Sequence, residues 1–590
     1  MTADTNVIYE FAGRRVDPRR RLLTLGGQPA PMFPRCFDAL LLLIERRGEL
    51  LEKEFLLQAL WPDVIVDENS LAKVISDVRR ALGEGPKDSG CIATVPRRGY
   101  RFTASVTVLR DAANASPGHT ERGEMRSLAV LPFAFLNPLA ADEGLGVGLA
   151  DALITRLGQL RRTHVRPTSS IARFASMPLA PAAAGRALEV DAVITGNIRR
   201  SGAMVRVGVQ LISVRDDAVL WAEKFDAPAA GALELEDSIA ERVATALTLA
   251  LAREERPPQA HRHTANADAY EHYIRGRYLI TKRTRELLLE AIECLERAIS
   301  IDPKFALAHA ALGEAWMHLG LRAAVSQSYR PHDVMPKARA AAEKALALDE
   351  SLSEAHATLG QVLFIYEWQR EAGVRELKRA IELNPNNQNA QHWYGMSLAG
   401  LGRFDEALAQ IERAREVDPL SVIVNANLGF VLYRAGRIDE AVAKLRHTVA
   451  MEPGFIMTRY RLGLALEAQG QYEEAIEQFE AMRPGPEDPL GLTGIARTRA
   501  LMGQPDEARR MLAELAQVAR TIYVPAALLA DVHLALGEND RAIECLEVSI
   551  EERALVSAWL PYERRYDPLR GHPRFAALLT RVGFGDRTAD

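Results

Sequence analysis

With 590 residues, 48% hydrophobic and 26% charged, the chain has room for roughly three to five domains, each able to bury its own core. A formal net charge of −5 excludes a surface coated in basic residues, so nucleic-acid binding would have to rest on charge placed locally. No apolar run approaches the roughly 20 residues that cross a bilayer, no basic-then-apolar signal opens the chain, and four cysteines give no disulfide framework. A cytoplasmic protein with no membrane contact is expected.

Residues 7–25 alternate apolar and polar positions and read as a small antiparallel sheet. Phe37, Leu40, Leu41 and Ile44 mark the core stripe of a first helix that Gly48 ends. Residues 52–61 form a second helix, stopped by Pro62. Lys53 sits near its N-terminus, where lysine and backbone N–H groups can both meet a phosphate. The third helix, 67–82, is N-capped by Asp67 or Ser70 and turns Leu71, Ile75, Val78 and Leu82 inward, with Val74 at the edge. Its outward face carries Asn69, Lys73, Ser76 and Arg80 beside Asp77. A polar outer face with a basic last turn is what a helix lying in a major groove needs. A strand–turn–strand follows at 92–102, tipped by Arg97, Arg98 and Gly99, where the arginines can reach phosphates or a minor groove. Tyr100 and Phe102 read as packing against the core rather than as base contacts.

Three motifs in this order resemble the OmpR/PhoB-type winged helix-turn-helix, most closely the ToxR- and CadC-like activators that begin with this domain. They are Gly48-Glu-Leu-Leu-Glu-Lys-Glu-Phe-Leu-Leu-Gln-Ala-Leu-Trp-Pro-Asp63, Val66-Asp-Glu-Asn-Ser-Leu71 and Thr94-Val-Pro-Arg-Arg-Gly-Tyr-Arg-Phe102. The resemblance spans about 7–108, where basic residues slightly outnumber acidic ones. It implies a transcriptional regulator that binds double-stranded DNA, with RNA polymerase or another protein as partner and a second copy on DNA. The residues expected to contact DNA are Lys53, Asn69, Ser70, Lys73, Ser76, Arg80, Arg97 and Arg98. The periplasmic sensing of the membrane-spanning relatives is not carried over, and no phosphorylated aspartate is assigned.

A linker at 109–125, rich in Asn, Ser, Pro and Gly, precedes an α/β module at 126–254. Strands are expected at 127–133, 191–198, 204–212 and 218–225, the middle two joined by an Arg-Arg-Ser-Gly turn. Helices are expected at 148–160 and 236–251, around a mixed sheet. Ala129-Val-Leu-Pro-Phe133, Thr195-Gly-Asn-Ile-Arg-Arg-Ser-Gly202 and Leu220-Trp-Ala-Glu-Lys-Phe225 are similar to the TolB/FlgO-like module, which implies a fold rather than an activity. Gly144-Leu-Gly-Val-Gly148 fits neither GxGxxG nor a P-loop and reads as a packing feature. His261 and His263, in a second linker at 255–267, lack ligating company. No cofactor or metal is expected.

From 268 to 590 a period of about 34 residues recurs, the length of a tetratricopeptide helix pair. Its marks are Ala291, Ala338, Gly373, Ala407, Ala441, Ala475, Ala508 and Ala542, with closing prolines at 303, 385, 419 and 453. An insertion at 323–336 lengthens one step. About eight units stack into a superhelix, capped by 567–575 and a short helix. His392, Met396, Phe430, Tyr433, Arg434, Tyr460 and Glu467 would face the inner side. That face suits either a bound peptide or protein segment, or packing against the middle module or against the array itself. The expected class is thus multidomain: an α+β winged helix at 1–108, a small α/β module, then an all-α superhelix. The leading reading is a DNA-binding regulator with the later domains as its sensory or partner-binding region. The alternative is a repeat-based scaffold with vestigial DNA binding. No GxSxG, HExxH, P-loop or cyclase block points to an enzyme.

Overall fold

The computed structural model describes residues 7–17, 22–25, 28–30, 32, 34–60, 68–83, 90–96, 98–110, 125–136, 145–160, 163–175, 179–201, 204–228, 239, 242, 264, 266–321, 329–482 and 489–584. The chain divides into two compact units, Met1–Arg122 and Gly123–Asp590.

In the first unit, β1 (Val7–Phe11), β2 (Arg14–Asp17), β3 (Leu22–Leu25), β4 (Gln28–Ala30) and β8 (Thr107–Arg110) form an antiparallel sheet in the order β4-β3-β2-β1-β8. Its inward residues Tyr9, Phe11, Val16 and Leu23 meet Phe37, Leu40, Leu43 and Ile44 of α1 (Pro34–Glu45) in one core. The expected stripe on α1 is corrected at one place. Leu43 is fully buried, whereas Leu41 is only partly so. Helix α2 runs over Lys53–Leu60, because Leu51–Glu52 is taken up as a short strand, β5. Trp61 and Pro62 lie outside the described residues. Helix α3 (Glu68–Ala81) buries Leu71, Ile75 and Val78, and Leu82 just beyond it, in the same core. Such side chains are worth about 1.5–3 kcal/mol each when fully buried. The hairpin β6 (Ile92–Val95) and β7 (Gly99–Phe102) completes the unit, with β5 paired to β7. Phe102 stands edge-on to Phe11 at 5.0 Å.

The second unit begins with a mixed sheet in the order β11-β9-β12-β13-β14. Strands β9 (Ser127–Val130), β11 (His164–Val165) and β12 (Ala192–Ser201) are parallel to one another. Strand β10 (Ala134–Phe135) also joins β12, while β13 (Met204–Ser213) and β14 (Val219–Pro228) are antiparallel. The expected turn at 199–202 is corrected, since β12 runs through Ser201. Helix α4 (Leu145–Leu157) starts three residues earlier than expected, so Gly146 and Gly148 lie within it. A Cβ on Gly146 would stand 2.0 Å from the Phe133 carbonyl oxygen, and one on Gly148 1.8 Å from Ile274 Cγ2. These glycines therefore let α4 approach its neighbours; they do not form a phosphate loop. Of the helix expected at 236–251, only Ile239 and Arg242 are described, and both linkers, with His261 and His263, fall almost wholly outside the described residues.

Eight helix pairs follow among the described residues. They are Ala267–Lys282 with Arg285–Ile301, Ala306–Leu321 with Pro331–Leu348, Ser353–Ile365 with Arg370–Leu383, Gln388–Gly400 with Phe404–Val417, Val422–Arg434 with Ile438–Met451, Ile456–Ala468 with Tyr472–Glu480, Pro489–Leu501 with Pro505–Val518 and Ala526–Ala535 with Asn539–Glu551. The recurring alanines are buried, and the same turn position in five pairs is a glycine with φ of +75 to +80° (Gly402, Gly436, Gly470, Gly503, Gly537). The first and third pairs put Arg283 (φ +53°) and Trp368 (φ +61°) there instead. Holding a side chain in that left-handed conformation costs about 1–2 kcal/mol, which other contacts must offset. After the last pair, 3-10 turns at Leu555–Ala558, Leu560–Tyr562 and Arg564–Leu569 lead to the terminal helix Pro573–Arg581.

Candidate nucleic-acid interface and the inner face of the repeats

Burial of one side of α3 leaves the other in solvent: Lys73, Ser76 and Arg80 are exposed and Ser70 is partly so. Arg80 points outward beside Asp77, 3.1 Å away. Arg79, which the helical projection does not single out, turns the opposite way. Its guanidinium donates to the Ile92 carbonyl oxygen (2.8 Å) and to Thr94 Oγ1 (2.7 Å), tying the end of α3 to the hairpin. The hairpin tip is anchored through its backbone. The Arg98 amide donates to the Val95 carbonyl oxygen (3.0 Å), and the Arg98 carbonyl accepts from the Lys53 amide (3.1 Å). One N–H at the start of α2 is thereby spent on the hairpin, while the Arg98 side chain stays exposed. Gly99 is required here, because a Cβ would fall 1.9 Å from the Leu51 carbonyl oxygen. Tyr100 and Phe102 are buried, and Arg101 between them is exposed on the other face of β7. Strand alternation is the signal that could have placed Arg101 with the outward cations. The Asn69 side chain and all of Arg97 lie outside the described residues.

Of the two expectations for the inner face of the repeats, the structure describes packing against the chain itself. His392, Met396, Phe430, Tyr433, Arg434, Tyr460 and Glu467 are all buried, and the chain itself covers them. Trp559 Nε1 donates to the Met396 carbonyl oxygen (3.4 Å), and its ring lies 4.8 Å from the Arg434 guanidinium. Arg434 also lies 4.1 Å over Phe430 and donates to Glu563 (3.0 Å). Arg565 bridges the Tyr460 hydroxyl (3.1 Å), Glu563 (3.1 Å) and Asp531. Burial alone would raise the Glu563 carboxyl, but Arg565 and Arg434 outweigh it and hold it down to about 2. Glu467 is taken by Arg497 and by Thr498 Oγ1 (2.6 Å) in the next unit. His392 meets Asn427, and burial, then the charges of Arg283 and Arg461, push its imidazole down to about 3. Met396, Arg434 and Tyr460 thus hold the chain's own segment at 555–569, while His392 and Glu467 are taken by neighbouring repeat helices, so this face is packed against the array itself rather than open to a partner.

The middle module is bound to the repeats as closely. Asn386 Nδ2 donates to the carbonyl oxygens of Gly158, Leu160 and Thr163 at 2.8–3.1 Å, and its Oδ1 accepts from the Val165 amide (3.0 Å). Arg166 donates to the Val417 carbonyl oxygen (2.6 Å), and Arg277 forks between Asp151 (2.9 Å) and Glu314 (2.7 Å). Among the described residues no helix is long and apolar enough to cross a membrane, and no group of three His, Cys, Asp or Glu could hold a metal ion.

Three family models match the chain in order. Residues 27–102 match "Transcriptional regulatory protein, C terminal", and 124–242 match the second domain of HilA/YgeH-like transcriptional regulators. Tetratricopeptide repeats match at 369–422, 394–454 and 426–489. For the middle block, where a TolB/FlgO-like module is expected, the family match is to the second domain of HilA/YgeH-like regulators. Transcriptional regulator HilA of Salmonella typhimurium is 24% identical over 381 residues, 64% of this chain and 65% of HilA. Transcriptional activator CadC of Escherichia coli is 32% identical over 92 residues, 15% of this chain and 18% of CadC. A Rhizobium meliloti protein named "Putative adenylate cyclase 3" is 29% identical over 186 residues, 32% of either chain. The chain spans from 18% to 65% of the length of these relatives. It therefore carries an OmpR/PhoB-type DNA-binding domain, a second domain like that of HilA and tetratricopeptide repeats, and transcriptional regulators of the HilA and CadC kind are its homologues.

Proposed function

We propose that the chain is a sequence-specific transcriptional regulator of double-stranded DNA, acting in the cytoplasm. Its first unit reads the DNA, and its second unit receives the signal. The observation that carries this reading is the exposed polar face of α3, with Lys73, Ser76 and Arg80 outward over a fully buried apolar stripe. A domain match over the same residues supports it. In this reading Asn69, Ser70, Lys73, Ser76 and Arg80 meet the major groove, and Lys53, Arg97 and Arg98 meet phosphates. RNA polymerase or another regulatory protein is the protein partner, and two copies sit on one operator. Four cysteines without a disulfide suit a reducing compartment.

The test is selection of genomic fragments by the full chain, followed by Lys73→Ala and Asn69→Ala. Each substitution should cost operator binding about 1–3 kcal/mol of discrimination and leave random DNA nearly unchanged. Equal losses on both would make these residues phosphate contacts. Failure to enrich any fragment would favour a repeat-based scaffold.

A further inference from the structure

A strand at the edge of a sheet carries a row of unpaired N–H and C=O groups, so edges are commonly kept short, covered or charged. Most edges of this protein follow that rule. Strands β4, β5, β6, β8 and β11 are two to four residues long. The β11 edge is also covered by the repeats, since Asn386 Oδ1 accepts from the Val165 amide (3.0 Å). The opposite edge of the same sheet, β14, runs for ten residues and pairs only with β13 among the described residues. Its Ala222, Lys224 and Asp226 lie exposed on one face.

The two ends of β14 differ. Trp221 faces Leu211 and Val219 faces Ile212, so Leu220 is an extra residue, and such a bulge turns an edge away from pairing. Beyond the bulge, residues 221–228 face 204–211 residue for residue. This straight section is the part of the edge on which a further strand can lie.

We propose that residues 221–228 pair antiparallel with the same residues of a second copy of the chain, continuing the sheet across a two-fold axis. Opposite residues in an antiparallel pair share a face. A two-fold that continues the sheet therefore passes through one residue of β14, which then faces itself. An axis at Glu223, Lys224 or Asp226 sets like charges against each other, which is destabilising. One at Ala222 or Ala227 pairs only three residues of the straight section. An axis at Phe225 pairs residues 222–228 and brings the two Phe225 side chains together. It also sets Lys224 of each copy opposite Asp226 of the other. A lysine on an edge ordinarily deters pairing, and this register answers it with an opposite charge. Asp226 already holds Arg206 on the neighbouring strand (2.6 Å) and would then lie between two cations. That self-complementary order of charges is what selects a second copy over an unrelated strand. The inference rests on the reading that two copies sit on one operator, and it names the surface that joins them.

The experiment is sedimentation equilibrium of the full chain over the micromolar range, without DNA, so failure to associate and failure to read DNA are separate results. A monomer–dimer equilibrium is expected. Lys224→Asp would face Asp226 of the other copy, and Asp226→Lys would face Lys224. Each variant alone should weaken the dimer roughly tenfold or more. Lys224→Asp alters an exposed side chain, so its melting midpoint should stay near that of the wild type. Mixing the two variants sets opposite charges against each other at both positions, and a heterodimer of about wild-type affinity should form. Three results would each overturn the proposal: a monomer at every concentration, which would leave this edge to a strand of another protein; single variants that dimerise as the wild type does; or a mixture that forms no heterodimer.

Discussion

Two arginine-bearing helix faces use the same chemistry to opposite ends. On α3 the side chain of Arg80 is 79% exposed beside Asp77, whereas on the repeat helix Val422–Arg434 that of Arg434 is 3% exposed against a Glu563 with no exposure. The first pair is screened by water and contributes little to stability, which leaves Arg80 available to a ligand. The second has lost its hydration, so each partner depends on the other. Exposure, more than residue type, separates a charge left in solvent from one that locks a fold.

The sharpest way to break that contrast is at the locked face. Glu563→Gln removes the counter-charge of Arg434 and one of the two carboxylates that Arg565 bridges, while keeping the shape. Unpairing a buried ion pair typically costs about 3–5 kcal/mol. The urea midpoint for unfolding the second unit should fall accordingly. A loss under about 1 kcal/mol would mean that 555–569 is not held on the inner face in solution.

How far each face can be read from sequence follows from where its cover lies. The stripe of Leu71, Ile75, Val78 and Leu82 is packed by elements within the same hundred residues, so helical periodicity identifies both its inner and outer sides. The repeat period is equally legible in Ala407, Ala441 and Ala475. The inner face is not, because Trp559, Glu563 and Arg565 arrive from 105 to 163 residues further along the chain and carry no local pattern. Arg283 and Trp368 escape notice for a related reason. A left-handed turn is legible as glycine, and here tertiary contacts hold other residues in it. Trp368 donates to Ser557 Oγ (3.0 Å) and lies under Arg553 at 3.8 Å. The start of α4 is illegible because glycines that serve close packing have the look of a helix boundary.

A smaller effect is expected between the two extremes, at a packing contact without charge. A Cβ on Gly429 would lie 2.5 Å from Leu445 Cγ of the second helix in its pair. Gly429→Leu should therefore destabilise the array by about 1–3 kcal/mol through overpacking. The neighbouring pairs should loosen first, since a solenoid couples adjacent units. With protein levels matched, reporter output should lose its response to growth condition in this variant. If the wild type, the variant and the isolated first unit drive the reporter alike under every condition, the repeats are not the control element.

The mildest change sharpens the open face. Arg97→Ala with Arg98→Ala alters two cations at the hairpin tip. The backbone at Arg98 is fixed independently of its side chain, by its amide to Val95 and its carbonyl to the Lys53 amide, so truncation should leave the hairpin in place. Buried Tyr100 and Phe102 hold the adjoining strand to the core whatever stands at the tip. Only charge is then removed. Each neutralised phosphate gives a slope of about −0.9 in log K against log salt, so the double variant should flatten the slope by about 0.9 for every phosphate that the two arginines neutralise. Affinity at low salt should fall on operator and random DNA alike, because phosphates carry no sequence. Loss of preference for the operator would instead place these arginines at base edges in the minor groove. An unchanged slope would show that the tip points away from DNA, leaving α3 to account for recognition without the hairpin.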